Sequence, residues 1–243
     1  MPGRFYIWCI AVVMMAFAAS CSEHREESQV VLSERDQIPP ALQRIGQRAE
    51  GIVAAVPAQD WPRVYAYISD IDNAWKDYKR PTVPPLAEPM RFPAKMMVRQ
   101  VDAALAALKR SAAARDAAGT LKAANDVNAA ATDLFAFYNP TLPPNIHTLT
   151  VLERRILLDS ADGDLTHAPG TLIRVRRAWG QLRPTISDHI GDRVVNEFDQ
   201  RIEDQQAALD AKDRGRLAAT ARQALTMIDQ MERLYYPDME GLG

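Results

Sequence analysis

The chain has 243 residues, 47% hydrophobic, 25% charged and 7% aromatic, with 29 basic against 31 acidic side chains and a net charge of −2. That apolar content can fill a sizeable core in one domain or two. The lack of a basic excess argues against nucleic acid as a partner, and 11 glycines leave little material for phosphate-cradling loops.

The chain opens MPGRFYIWCIAVVMMAFAASC, with an unbroken apolar run from Phe5 to Ala19. This is shorter than the roughly 20 residues of a spanning helix. Arg4, the apolar stretch and the small residues Ala18, Ala19 and Ser20 together have the form of a secretory leader. The stretch AASC, Ala18 to Cys21, resembles the lipobox of bacterial lipoprotein precursors, with Ala18 where that family usually carries Leu. The resemblance covers residues 1–21 only. It implies cleavage before Cys21, a lipid on Cys21 and, with Ser22 rather than Asp next, an outer-membrane anchor facing the periplasm. The inner membrane is the alternative. Cleaving residues 1–20 removes one basic residue, Arg4, and also Cys9. An acylated Cys21 then leaves no thiol for a disulfide, a nucleophile or a thiolate metal site. Ser22 to Ile38 reads as a polar tether, spanning on the order of 20–25 Å as a flexible coil.

Apolar spacing by threes and fours then predicts helices, and the plentiful Ala and Leu favour them. The first, opened by Pro39 and Pro40, carries Leu42, Ile45, Ala49, Ile52, Val53 and Val56. Asp60 caps the second, with Pro62 in its first turn and a stripe of Trp61, Val64, Tyr65, Ile68, Ile71, Trp75 and Tyr78. Five prolines from Pro81 to Pro93 predict an extended connection. The third helix is expected from about Ala94 to Ala113, with Met97, Val101, Ala104, Leu105 and Leu108 inward. Asp116 caps the fourth, which carries Leu121, Ala124, Val127, Ala131, Leu134 and Tyr138 and stops at Pro140. Asn125 and Asn128 lie one turn apart beside that stripe, either bonded across a helix interface or facing water.

Thr150 and Glu153 fit a capping box for a short fifth helix with Leu152, Ile156 and Leu157. The sixth opens near Ala168 and Pro169, carries Leu172, Val175, Trp179 and Leu182, and is expected to end at Pro184. The seventh carries Ile190, Val194, Phe198, Ile202 and Leu209. The eighth carries Leu217, Ala221, Leu225, Ile228, Met231 and Tyr235 before Pro237.

Two stretches look alike. IDNAWKDYKRPTV ends the second helix and VRRAWGQLRPTI the sixth, aligning Trp75 with Trp179. ARDAAGTLKAA and AKDRGRLAAT enter the fourth and eighth helices, and those end FAFYNP and ERLYYP. Residues 40–140 and 150–237 thus read as two copies of one four-helix pattern. The expectation is an all-α chain: a tandem repeat of two four-helix bundle-like units with antiparallel helices. Residues 1–20 would be the leader, 21–38 the anchor and tether, 39–140 and 141–243 the units.

Four histidines exist: His24 in the tether, His147 and His167 on either side of the expected fifth helix, and His189 near the seventh. His147 and His167 are candidates for convergence. Met227 and Met231, one turn apart, are soft-ligand candidates for copper(I), against core filling. Trp75 and Trp179 either pack within their own units or line a shared pocket for an apolar or cationic ligand. No Glu-x-x-His pair, GxSxG, HExxH or Walker pattern occurs. No cofactor is expected, and an enzyme is not. The expected function is a lipid-anchored binding or scaffolding module working with another envelope protein. Metal or small-ligand handling is the alternative.

Overall fold

The computed structural model describes residues 38–80, 88–138 and 143–235. The leader, Cys21, the tether and His24 lie outside the described residues. Among the described residues there are eight α-helices and one 3-10 turn, with no strand. The helices are α1 (Pro40–Ala55), α2 (Trp61–Tyr78), α3 (Glu88–Ala113), α4 (Ala117–Asp133), α5 (Pro144–Asp162), α6 (Ala168–His189), α7 (Asp192–Asp210) and α8 (Arg214–Tyr235). The 3-10 turn, Leu134–Phe137, extends α4. None of the described helices is long and apolar enough to cross a membrane.

The caps expected at Asp60 and Asp116 are present, and Asp213 supplies a third. The Asp60 side chain accepts from the Arg63 backbone N–H at 3.2 Å, that of Asp116 from Gly119 at 3.0 Å, and that of Asp213 from Arg216 at 2.9 Å. Each satisfies one of the N–H groups that a helix start leaves without an intrahelical partner. The residue before each aspartate is left-handed: Gln59 at φ 55°, Arg115 at 51° and Lys212 at 52°. Three long side chains therefore accept a conformation that costs about 1 kcal/mol, and each sits beside a cap of comparable worth.

Three boundaries differ from expectation, all at prolines or polar residues. The helix expected from Ala94 begins at Glu88, so Pro89 and Pro93 lie inside α3. Pro89 is its second residue, where a missing N–H costs nothing. The capping box is not formed. α5 starts at Pro144, in the position prolines favour. Thr150 is mid-helix, its hydroxyl donating to the Ile146 carbonyl at 3.4 Å, and Glu153 is fully buried. Pro184 does not end α6, which runs on to His189. Pro184 and Gly180, whose carbonyl the proline leaves without its usual helical donor, are both exposed, so water can replace that bond.

Buried apolar side chains gather in two clusters. The first runs from Ile38 to Phe135 and includes Leu42, Ile45, Ile52, Ile71, Trp75, Leu108 and Leu134. The second runs from Ile146 to Met231 and includes Leu149, Ile156, Leu172, Trp179, Phe198 and Ile228. In the first, α1 packs on α2 and α4, α4 on α3, and α2 less extensively on α3. In the second, α5 packs on α6 and α8, α6 on α7 and α7 on α8. The contact between α4 and α5 joins the two sets.

Candidate functional site

The two tryptophans are placed alike. Trp75 and Trp179 are 2% and 3% exposed. Each indole N–H donates to a carboxylate on the next helix, to Asp102 at 2.6 Å and to Asp199 at 2.6 Å. A cation one turn after each tryptophan binds the same carboxylate: Lys79 Nζ at 2.9 Å from Asp102, and Arg183 Nη2 at 3.0 Å from Asp199. Trp75 stacks on Tyr78 and Trp179 packs against Phe198. Desolvation works to raise the Asp102 carboxyl, but the bonds from Lys79 and Trp75 win and hold it below its usual range. The indoles belong to different clusters, so they line no shared pocket.

A second set of charged and polar groups lies along the seam where α4 meets α5. Arg154 of α5 binds Glu50 of α1 through two nitrogens, each at 2.6 Å. Asn128 of α4 donates to the same carboxylate at 2.8 Å. Arg155 pairs with Asp126. Lys122 reaches Asp159 at 3.1 Å and Asp162 at 2.8 Å. Asn125, fully inside, donates to the Val151 carbonyl at 3.0 Å. Both asparagines of the fourth helix thus bond across a helix interface.

At one end of the seam His147 lies 3.7 Å from Glu232 of α8, with Phe135 edge-on to the imidazole. Burial lowers the His147 pKa, favouring the neutral ring. Burial, then the negative charges of Asp229 and Glu50, push Glu232 up to about 7, against the pull of Arg154. At 3.7 Å His147 and Glu232 are not hydrogen-bonded. Burial likewise raises Asp126, against the charge of Arg155.

The remaining candidates separate. His147 sits in the first turn of α5, and His167, exposed, precedes α6 beyond the other end. The rise of α5 puts about 20 Å between them, so they do not converge. His189 ends α6, its ring Nδ1 bonded to the Thr185 carbonyl oxygen at 2.9 Å. Met231 is fully buried in the second cluster and Met227 packs partly buried against it. Among the described residues no group of three His, Asp, Glu or Cys side chains is placed to hold a metal.

Glu50, Arg154 and Glu232 were not singled out in the sequence. The available signal was Glu153-Arg154-Arg155, a charged triplet inside the apolar run VLERRILL. Compared with known proteins, the chain matches no family model, no curated protein and no solved structure.

Proposed function

We propose that this chain is a lipid-anchored envelope protein, a helical binding or scaffolding module built from two copies of one four-helix unit. The observation that carries the reading is the doubled indole–carboxylate–cation cluster. Trp75, Lys79 and Asp102 have Trp179, Arg183 and Asp199 as counterparts, in the same helix order. The matched Arg115-Asp116 and Lys212-Asp213 turns, each with a left-handed basic residue and a capping aspartate, support it. So does the matching order of helix packing in the two clusters. The longer connection between α2 and α3 accounts for the unequal lengths of the copies. Such a chain uses its special side chains to hold two like bodies side by side and offers partners a broad helical surface.

The anchor rests on the leader and Cys21. The full chain and its Cys21→Ala variant, expressed with export, decide it. Loss of the variant from the membrane fraction, with the wild-type protein heavier than its polypeptide by acyl groups, is the expected result. Retention of Cys21→Ala in membranes, with no mass difference beyond the substitution, would refute the anchor. Crosslinking in intact cells would then identify what the helical surface holds. Native mass spectrometry showing a stoichiometric metal would instead favour ligand handling.

A further inference from the structure

Glu153 of α5 and Gln205 of α7 meet inside the second cluster, both with no exposed surface. Their helices sit across that core from each other, each packed on α6 and α8. Gln205 Nε2 donates to Glu153 Oε2 at 2.5 Å. Two oxygens are left over, Glu153 Oε1 and Gln205 Oε1, buried and without hydrogen-bond partners. Two acceptors cannot satisfy one another, and each unpaired buried group is costly. One proton on the carboxyl would satisfy both.

We propose that Glu153 is carried as the neutral acid, its Oε1–H donating to Gln205 Oε1 while Gln205 Nε2 donates to Glu153 Oε2. Acid and amide then form a reciprocal pair that ties α5 to α7, and loss of that one proton loosens the second cluster. The buried hydroxyls of α5, α6 and α8 are bonded elsewhere. Thr220 of α8 spends its hydroxyl on the Leu217 and Arg216 carbonyls, and Thr171 of α6 on that of His167. Ser160 donates to the Ile156 carbonyl. Arg154 and Arg155 on the same helix turn to Glu50 and Asp126. Burial raises the Glu153 carboxyl from 4.5 to about 8, the Gln205 bond opposes it, and no charge on α6, α7 or α8 contributes.

The positions aligned with this pair in the first cluster hold Ala49 and Leu108, both buried; this comparison alone rests on the duplication reading. One core is closed by apolar contact at all pH values, the other by a proton. The direction of the pH effect follows from linkage. Below the unfolded value of 4.5 both states hold the proton. Above it the unfolded chain gives the proton up and the folded chain keeps it, up to about 8. The ratio of folded to unfolded protein therefore falls about tenfold per pH unit across that window.

The test uses the full chain, wild type and Glu153→Gln, with two readouts. The first is a carboxyl carbon NMR titration of glutamate-labelled wild type. The second is the urea midpoint between about pH 5 and about pH 8.5. The Gln side chain supplies the same donor to Gln205 at every pH. The expected results are a glutamate carboxyl that stays protonated through neutrality and is missing in Glu153→Gln. Stability of wild type relative to the variant should fall as pH rises. Glu232, present in both chains, cancels in that difference. A Glu153 carboxyl already ionised at about pH 6, or midpoints that move in parallel with pH, would overturn the proposal. Should Glu153→Gln not fold, the double variant Glu153→Ala/Gln205→Leu, which copies the first cluster, replaces it, and the wild-type titration decides on its own.

Discussion

Replacing Asp199 by alanine removes the acceptor, at 2.6 Å, of the indole N–H of Trp179, a residue that is 3% exposed. A hydrogen bond to a charged group contributes about 1.5–3 kcal/mol, and a buried donor left unpaired costs a similar amount. The variant should therefore lose about 2 kcal/mol. For a chain of this length that is a fall of about 4–8 °C in Tm. Arg183, at the same carboxylate, is 52% exposed on its side chain, so its alanine variant should lose less than about 1 kcal/mol. Trp179→Phe keeps most of the ring and deletes the N–H, so the cycle of Trp179→Phe with Asp199→Ala isolates the bond. The same cycle at Trp75 and Asp102 should give a coupling of similar size, since that bond is also 2.6 Å to a buried indole. Urea unfolding followed by circular dichroism reads both cycles. Couplings below about 0.5 kcal/mol at both places would show that the carboxylates are not what holds the indoles. A large coupling at one and none at the other would break the equivalence on which the duplication reading stands.

Three further outcomes are expected. Arg154→Ala removes the cation that lowers Glu232, so the Glu232 carboxyl should titrate above its present value of about 7, while Glu50→Gln should bring it down; an NMR titration that moves the other way refutes the seam electrostatics. Because Glu232 is raised, its contribution to stability is complete below the ordinary carboxylate value of 4.5 and is lost as pH rises through about 7. Glu232→Gln should therefore be less sensitive than wild type to a pH rise over that window, and equal sensitivity in denaturant titrations would count against it. Gly163 ends α5 in the left-handed region at φ 79°, and a Cβ there would stand 2.2 Å from the Arg214 guanidinium, so Gly163→Ala should lose about 1 kcal/mol and a neutral result would mean the turn relaxes.

The class of the fold is legible because long amphipathic helices announce themselves through apolar periodicity: the α1 stripe is buried from Leu42 to Ile52, and that of α2 from Val64 to Tyr78 except at Tyr65, which is exposed. The differences have two origins. Proline reads as a break in the sequence, yet Pro89 occupies the first turn of α3, where no N–H is needed, and at Pro184 the broken bond faces water. Glu153 was assigned to a helix start because a capping box has the same spacing as one turn of helix interior. Only the partner on α7, far along the chain, shows which reading holds. The seam was illegible for a like reason. Glu50 and Arg154 are ordinary surface residues until α1 and α5 are brought together, and nothing in their local sequence specifies that meeting.

The composition of the seam bears on how the two clusters are held. α1 and α4 turn their apolar faces into the first cluster, and α5 turns its own into the second. Between α4 and α5 stand Lys122 on Asp159 and Asp162, Arg155 on Asp126 and Asn125 on the carbonyl of Val151, a buried residue outside both clusters, while Arg154 bridges from α5 to Glu50 of α1. A partly exposed ion pair such as Arg155 on Asp126 contributes about 0–1 kcal/mol. Two members are more buried: Asp159, whose side chain is 5% exposed, and Arg154, whose side chain is 12% exposed and is bound by both oxygens of Glu50. Most of the stability therefore resides within the clusters, while Glu50, Asn128 and Arg154 set the register between them. Arg154→Ala should then leave the far-ultraviolet helix signal intact and change the distance between spin labels placed on α2 and α7. An unchanged distance would mean that backbone packing of α4 on α5, not the buried guanidinium, fixes how the halves sit.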